Sequence, residues 1–113
     1  MLTVLAPVTG VAVGLDKVPE PTFAQGLVGP GTAIDPRREW QEAVAPITGR
    51  IVSFHPHAFV VRSAEGRGVL VHLGINTVRL PLIRGFELLA AQGQDVTAGQ
   101  PLIRWNPAEG GAS

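Results

Sequence analysis

The sequence contains no cysteine, which excludes a disulfide framework, a thiolate zinc site and a cysteine nucleophile. It has a single lysine, Lys17, and every other basic residue is arginine. Neither charge sign prevails, since nine basic residues offset nine acidic ones, so nothing favours nucleic acid or an anionic membrane as the main partner. No run of about 18 apolar residues occurs, and the start from Met1 to Pro7 lacks the basic and long apolar regions of a secretion signal. A soluble, cytoplasmic protein is the expectation. Long amphipathic helical patterns are scarce, and no glycine-rich phosphate loop of nucleotide type is present.

What the chain does have is turns and short apolar runs. Its 113 residues are 45% hydrophobic and include 14 glycines and 10 prolines, as suits one small folded domain cut by many turns. We expect a single domain over residues 1–105 and a frayed tail over 106–113. Leu2 to Ala6 and Val11 to Leu15 read as two strands of a hairpin-like opening closed by Pro7 and Gly10. Residues 16–31 are irregular and yet hold Phe23, Leu27 and Val28, which either tuck onto the core or form an exposed contact patch. Thr32 to Asp35 and Ala43 to Ala45 read as short strands, with Arg37 to Glu42 a solvated connector. Further strands are expected at Arg50 to Phe54, Ala58 to Arg62 and Gly68 to Leu73. Phe86 to Gln92 reads as a short helix with Gly93 just past its end, followed by a turn and a last strand ending at Trp105.

Ala45-Pro46-Ile47-Thr48-Gly49 repeats Ala6-Pro7-Val8-Thr9-Gly10 in four of five places, 39 residues on. Equivalent strand-turn-strand units imply a pseudo-symmetric sandwich or barrel.

The chemistry centres on His72, a titratable ring in the apolar run Gly68-Val69-Leu70-Val71-His72-Leu73. Strand alternation sets Leu70 and His72 on one face and Val69, Val71 and Leu73 on the other. A lone histidine in such a run reads first as a core residue with a satisfied hydrogen bond. However, His55-Pro56-His57 lies in a tight turn feeding the neighbouring strand, so hairpin register can bring His57 to the same end of the sheet as His72. Three chemistries are open to these rings. His55, His57 and His72 could ligate zinc as a hydrolase centre, against which Pro56 and the absence of a well-placed carboxylate both count. The segment from Gly93 to Leu102 has the strand-turn spacing of biotinyl and lipoyl domains, but Lys17 is not at the hairpin tip such a carrier needs. In phosphoryl transfer, one imidazole is the nucleophile and a second donates to the phosphoryl oxygens. The donor would then be another protein, because the nucleotide loop is absent.

The run Val69 to Val78, the segment Pro56-His57-Ala58-Phe59, the loop Val18 to Phe23 through Val28 to Ile34, and the Ala-Pro-x-Thr-Gly repeats together resemble the glucose-type enzyme IIA of the bacterial phosphoenolpyruvate-dependent sugar phosphotransferase system. The actinobacterial members are especially similar. This resemblance implies an all-β fold, an antiparallel β-sandwich or barrel of the duplicated hybrid motif type. It implies that His72 accepts a phosphoryl group from the phosphocarrier protein HPr and passes it to the cysteine of a IIB domain of a sugar permease, with His57 stabilising that group. No cofactor and no metal are called for. An apolar rim must keep water off a phosphohistidine, and Phe23, Leu27, Val28, Phe54 and Leu70 are its candidates, with Glu20 complementing a basic partner. Brief encounters of this kind fit an interface under about 1,200 Å². The chain carries Asn76 and Arg79 where the family is more often acidic or, at the second position, has Gln. The family continues with further strands past the position of Trp105. Either a partner chain supplies them, or the sandwich closes differently, or the sequence is a shortened piece, and since uncovered edges otherwise invite association, a homo-oligomer is among the expected partners. A regulatory module on the same fold, without phosphorylation, is the alternative.

Overall fold

The computed structural model describes residues 3–14, 31–37, 39–73 and 86–106. These form β1 (Gly10–Val13), β2 (Ala33–Pro36), β3 (Gln41–Val44), β4 (Gly49–His55), β5 (Ala58–Arg62), β6 (Gly68–His72), β7 (Phe86–Leu88), β8 (Asp95–Val96) and β9 (Pro101–Trp105). All pairings are antiparallel, in sheets ordered β1-β2, β3-β9-β7 and β6-β5-β4-β8. The two larger sheets share one core. Ile51, Phe59, Val61 and Val71 come from the four-stranded sheet and Ala43, Phe86, Ile103 and Trp105 from the three-stranded one, which is the arrangement of a sandwich. Alternation explains the strands. Phe59 and Val61 are fully buried while Arg62 is exposed, and Val71 and Leu73 point inward where Leu70 does not. Each such side chain contributes about 1.5–3 kcal/mol when fully buried.

The repeated segments occupy equivalent places. Gly10 opens β1 and Gly49 opens β4, and a Cβ at either would overlap a carbonyl oxygen, that of Asp35 or of Arg62. Between the copies, the Leu5 amide donates to the Pro46 carbonyl at 2.9 Å and the Val44 amide to the Pro7 carbonyl at 2.8 Å. Leu5 and Val44 are 39 positions apart, as are Pro7 and Pro46. The duplication read from five residues is therefore a pseudo-two-fold relation in space.

Several local expectations are corrected. The segment from Phe86 to Gln92 forms no helix: β7 pairs with β9, Phe86 opposite Trp105, and the two rings stack with centroids 6.0 Å apart. No helix occurs among the described residues, so none is long and apolar enough to cross a membrane. Gly93 takes a φ of 92° in a turn whose amide donates to the Ile51 carbonyl at 2.7 Å, rather than terminating a helix. Thr3 to Ala6 joins no ladder, and the opening hairpin gives way to a pairing of β1 with the distant β2. Gln41 and Glu42 belong to β3 rather than to a solvated connector. The Gln41 side chain accepts from the Thr9 amide at 2.7 Å and donates to the Thr9 and Arg37 carbonyls, which anchors the start of β1 to β3. The expected tail over 106–113 lies outside the described residues apart from Asn106.

Candidate functional site

Three strands position the histidines. β4 and β5 form a hairpin through Pro56 and His57, with His55 opposite Ala58, and β5 pairs with β6 so that Ala58 also lies opposite His72. His55, Ala58 and His72 thus make one row across the sheet, and residues in one row project to the same face. Proline restrains the turn because its ring fixes φ. The Leu73 amide donates to the His57 carbonyl at 2.7 Å, which ties the turn to the end of β6. Between the flanking residues of that row stands Ala58, whose side chain is a single methyl group, and the His57 ring lies near both flanking rings. Its centroid is 5.6 Å from that of His72, at 69° between planes, and 5.9 Å from that of His55, at 30°.

His57 and His72 are half-buried and His55 is exposed. Burial, then charge on His72 and then charge on His55, lower the pKa of His57 from its ordinary value of 6.5. A neutral ring keeps a lone pair free as acceptor or nucleophile and one N–H as donor. Two adjacent imidazoles of this kind can divide the work of attack and of stabilising the transferred group. Among the described residues no group of three or more His, Cys, Asp or Glu side chains is arranged to hold a metal ion, so the geometry does not offer His55, His57 and His72 as three ligands of one zinc.

Of the residues expected to form a rim, Leu70 and Phe54 lie among the described residues. Leu70, on the histidine face, is 44% exposed and lies across from Val60, which is half-buried. Phe54 pairs with the buried Phe59, 6.1 Å between ring centroids, and packs against the core, so its ring contributes to the interior rather than to the face of His72. Phe23, Leu27, Val28 and Glu20 lie outside the described residues, as do Asn76 and Arg79. The sequence reading did not single out Val60. Val60 follows from its alternation with Ala58, whereas Val52, 42% exposed where the ladder slips between Ile51 and Ser53, belongs to another part of the surface; a bulge of this kind leaves little trace in residue types. An open depression of about 720 Å³ lined by Arg50, Arg62 and Asp95 lies at the other end of the β4-β5 hairpin, remote in register from the histidines.

The pattern of the phosphoenolpyruvate-dependent sugar phosphotransferase system EIIA 1 family matches residues 2–109. A glucose-specific EIIA component of the phosphotransferase system from Staphylococcus aureus is 39% identical over 107 residues, covering 93% of this chain and 63% of its own length. The corresponding component from Staphylococcus epidermidis is 38% identical with the same coverage. The chain thus spans somewhat less than two thirds of these relatives. A solved structure, the glucose permease IIA of Mycoplasma capricolum, superposes with a TM-score of 0.84 at 37% identity, covering 92% of this chain and 67% of that one. Fold and sequence agree, and the chain belongs to the EIIA 1 family of the phosphoenolpyruvate-dependent sugar phosphotransferase system.

Proposed function

We propose that this chain is a phosphoryl carrier in sugar uptake, acting in the cytoplasm between HPr and a IIB domain. The observation that carries the reading is the edge-on pair of His57 and His72 at one end of the β5-β6 ladder, and family membership supports it. In the first step a ring nitrogen of neutral His72 attacks the phosphorus of phospho-HPr. A new N–P bond forms, the old one breaks, and its electron pair stays on the departing imidazole. In the second step the thiolate of a IIB cysteine attacks the same phosphorus, an S–P bond forms, and the electron pair of the breaking N–P bond returns to His72. His57 donates a hydrogen bond to the phosphoryl oxygens in both steps, where charge stabilisation by a fixed donor is most effective. Leu70 and Val60 form part of the apolar surface on which both partners dock and from which water is excluded.

The test is incubation with labelled phosphoenolpyruvate, enzyme I and HPr. Acid-labile label on the wild type and none on His72→Ala is the expected result. No label on folded wild-type protein would sink the relay in favour of a regulatory module. His57→Gln is expected to accept label yet to pass it on roughly a hundredfold more slowly.

A further inference from the structure

We infer that His55 is a positioning residue of this site, acting on the His57 ring from the β4 side while His72 faces it from β6. Its bearing on phosphoryl transfer rests on the relay proposed above. The ladder places His55 in the same row as His72, one strand to either side of Ala58. His57 therefore stands between two rings at nearly equal separations, 5.9 Å and 5.6 Å, but in different attitudes. Toward His55 it is inclined by 30°, within the range of offset aromatic stacking, and toward His72 it is turned edge-on. The backbone of His57 is held by the bond from the Leu73 amide and by the adjoining Pro56, so the ring's remaining freedom is rotation about its side-chain bonds. A flat ring on the β4 side occupies the space into which His57 would swing when leaving His72.

The same placement has an electrostatic effect. Among the described residues, the titratable groups acting on His57 are His55 from β4 and His72 from β6, and each opposes a proton on it. His55 thus holds His57 both turned toward His72 and neutral; phenylalanine at position 55 would keep a flat ring but lose the charge, and glutamine would lose both.

The experiment follows the His57 ring proton by NMR across a pH titration of the free protein, comparing wild type with His55→Gln and His55→Phe. The expected result is an upward shift of the His57 midpoint in both variants, with the unfolding midpoint in urea unchanged. Onward transfer from the labelled protein should also fall roughly tenfold in His55→Gln, about 1.4 kcal/mol of barrier, with uptake from phospho-HPr preserved. A His57 midpoint that does not move in a folded variant overturns the inference. Two different replacements guard against one failing to fold. If the wild type accepts no label, the relay fails but the titration still decides the role of His55. If the wild type is labelled and the midpoint is unmoved, the relay stands and His55 is only a surface residue.

Discussion

The His57 ring stands edge-on to that of His72, 5.6 Å between centroids and 69° between planes. Such closeness disfavours two positive charges. The folded-state pKa of His57 lies below its ordinary 6.5, through burial first, then His72, then His55. The unfolded chain therefore holds more protons at this position between the lowered value and about 6.5, and stability rises with pH across that window. The contribution is full above the unfolded value and is lost as pH falls through the folded one. Urea midpoints measured from about pH 8 to about pH 5 should decline more steeply for wild type than for His57→Gln, and parallel profiles would contradict the assignment.

Leu70 is nearly half exposed on the histidine face, although it sits in a strand whose alternate residues fill the core. Its side chain contributes little to the fold where it stands. Leu70→Ser is expected to change stability by less than about 0.5 kcal/mol while slowing phosphoryl uptake from HPr roughly tenfold, about 1.4 kcal/mol of docking or barrier energy. Equal uptake by the variant, measured at limiting phospho-HPr, would remove Leu70 from the docking surface.

Gly49 begins β4 where a Cβ would overlap the carbonyl oxygen of Arg62, a backbone atom that cannot rotate away. Gly49→Ala must push β4 and β5 apart at their paired end. A loss of about 1–3 kcal/mol is expected, together with a smaller effect at the histidine end of the same hairpin. Equilibrium unfolding and the amide shifts of His57 and His72 measure the two effects.

Trp105 is 2% exposed, stacks on Phe86, and has an indole N–H with no hydrogen-bond partner among the described residues. Truncation to alanine should cost about 3–5 kcal/mol. Trp105→Phe should cost far less than that, because it removes a buried donor whose desolvation is uncompensated as well as some packing. Equal losses for the two substitutions, read from urea midpoints, would show that the N–H is satisfied in solution.

The strands that carry the histidines were legible because their pattern is local. Val69, Val71 and Leu73 alternate with Leu70 and His72, and a two-residue turn joins His55 to Ala58, so face and register follow from period and turn length. The duplication was legible from Ala-Pro-x-Thr-Gly because the glycine is required at the same tight approach in each copy. Phe86 to Gln92 misled because Leu88, Leu89, Ala90 and Ala91 favour helices and Gly93 suits a helix end, while the deciding interactions come from β9, across the sheet. For the same reason the partner of β1 could not be read from its own neighbourhood: β2 begins 20 residues after β1 ends. The pairing of His57 with His72 could be anticipated from register, but the third ring of His55 gained its meaning only from the row through Ala58.

The two bonds exchanged by Leu5 with Pro46 and Val44 with Pro7 have the form of an isologous dimer contact, in which each patch meets its own counterpart. Here both halves belong to one polypeptide, so association is unimolecular and independent of protein concentration. The joint also closes a long sequence separation, which places its formation after the local hairpins in folding. The row of histidines can thus be laid out by β4, β5 and β6 early, and the seam between the copies then completes the interior beneath them.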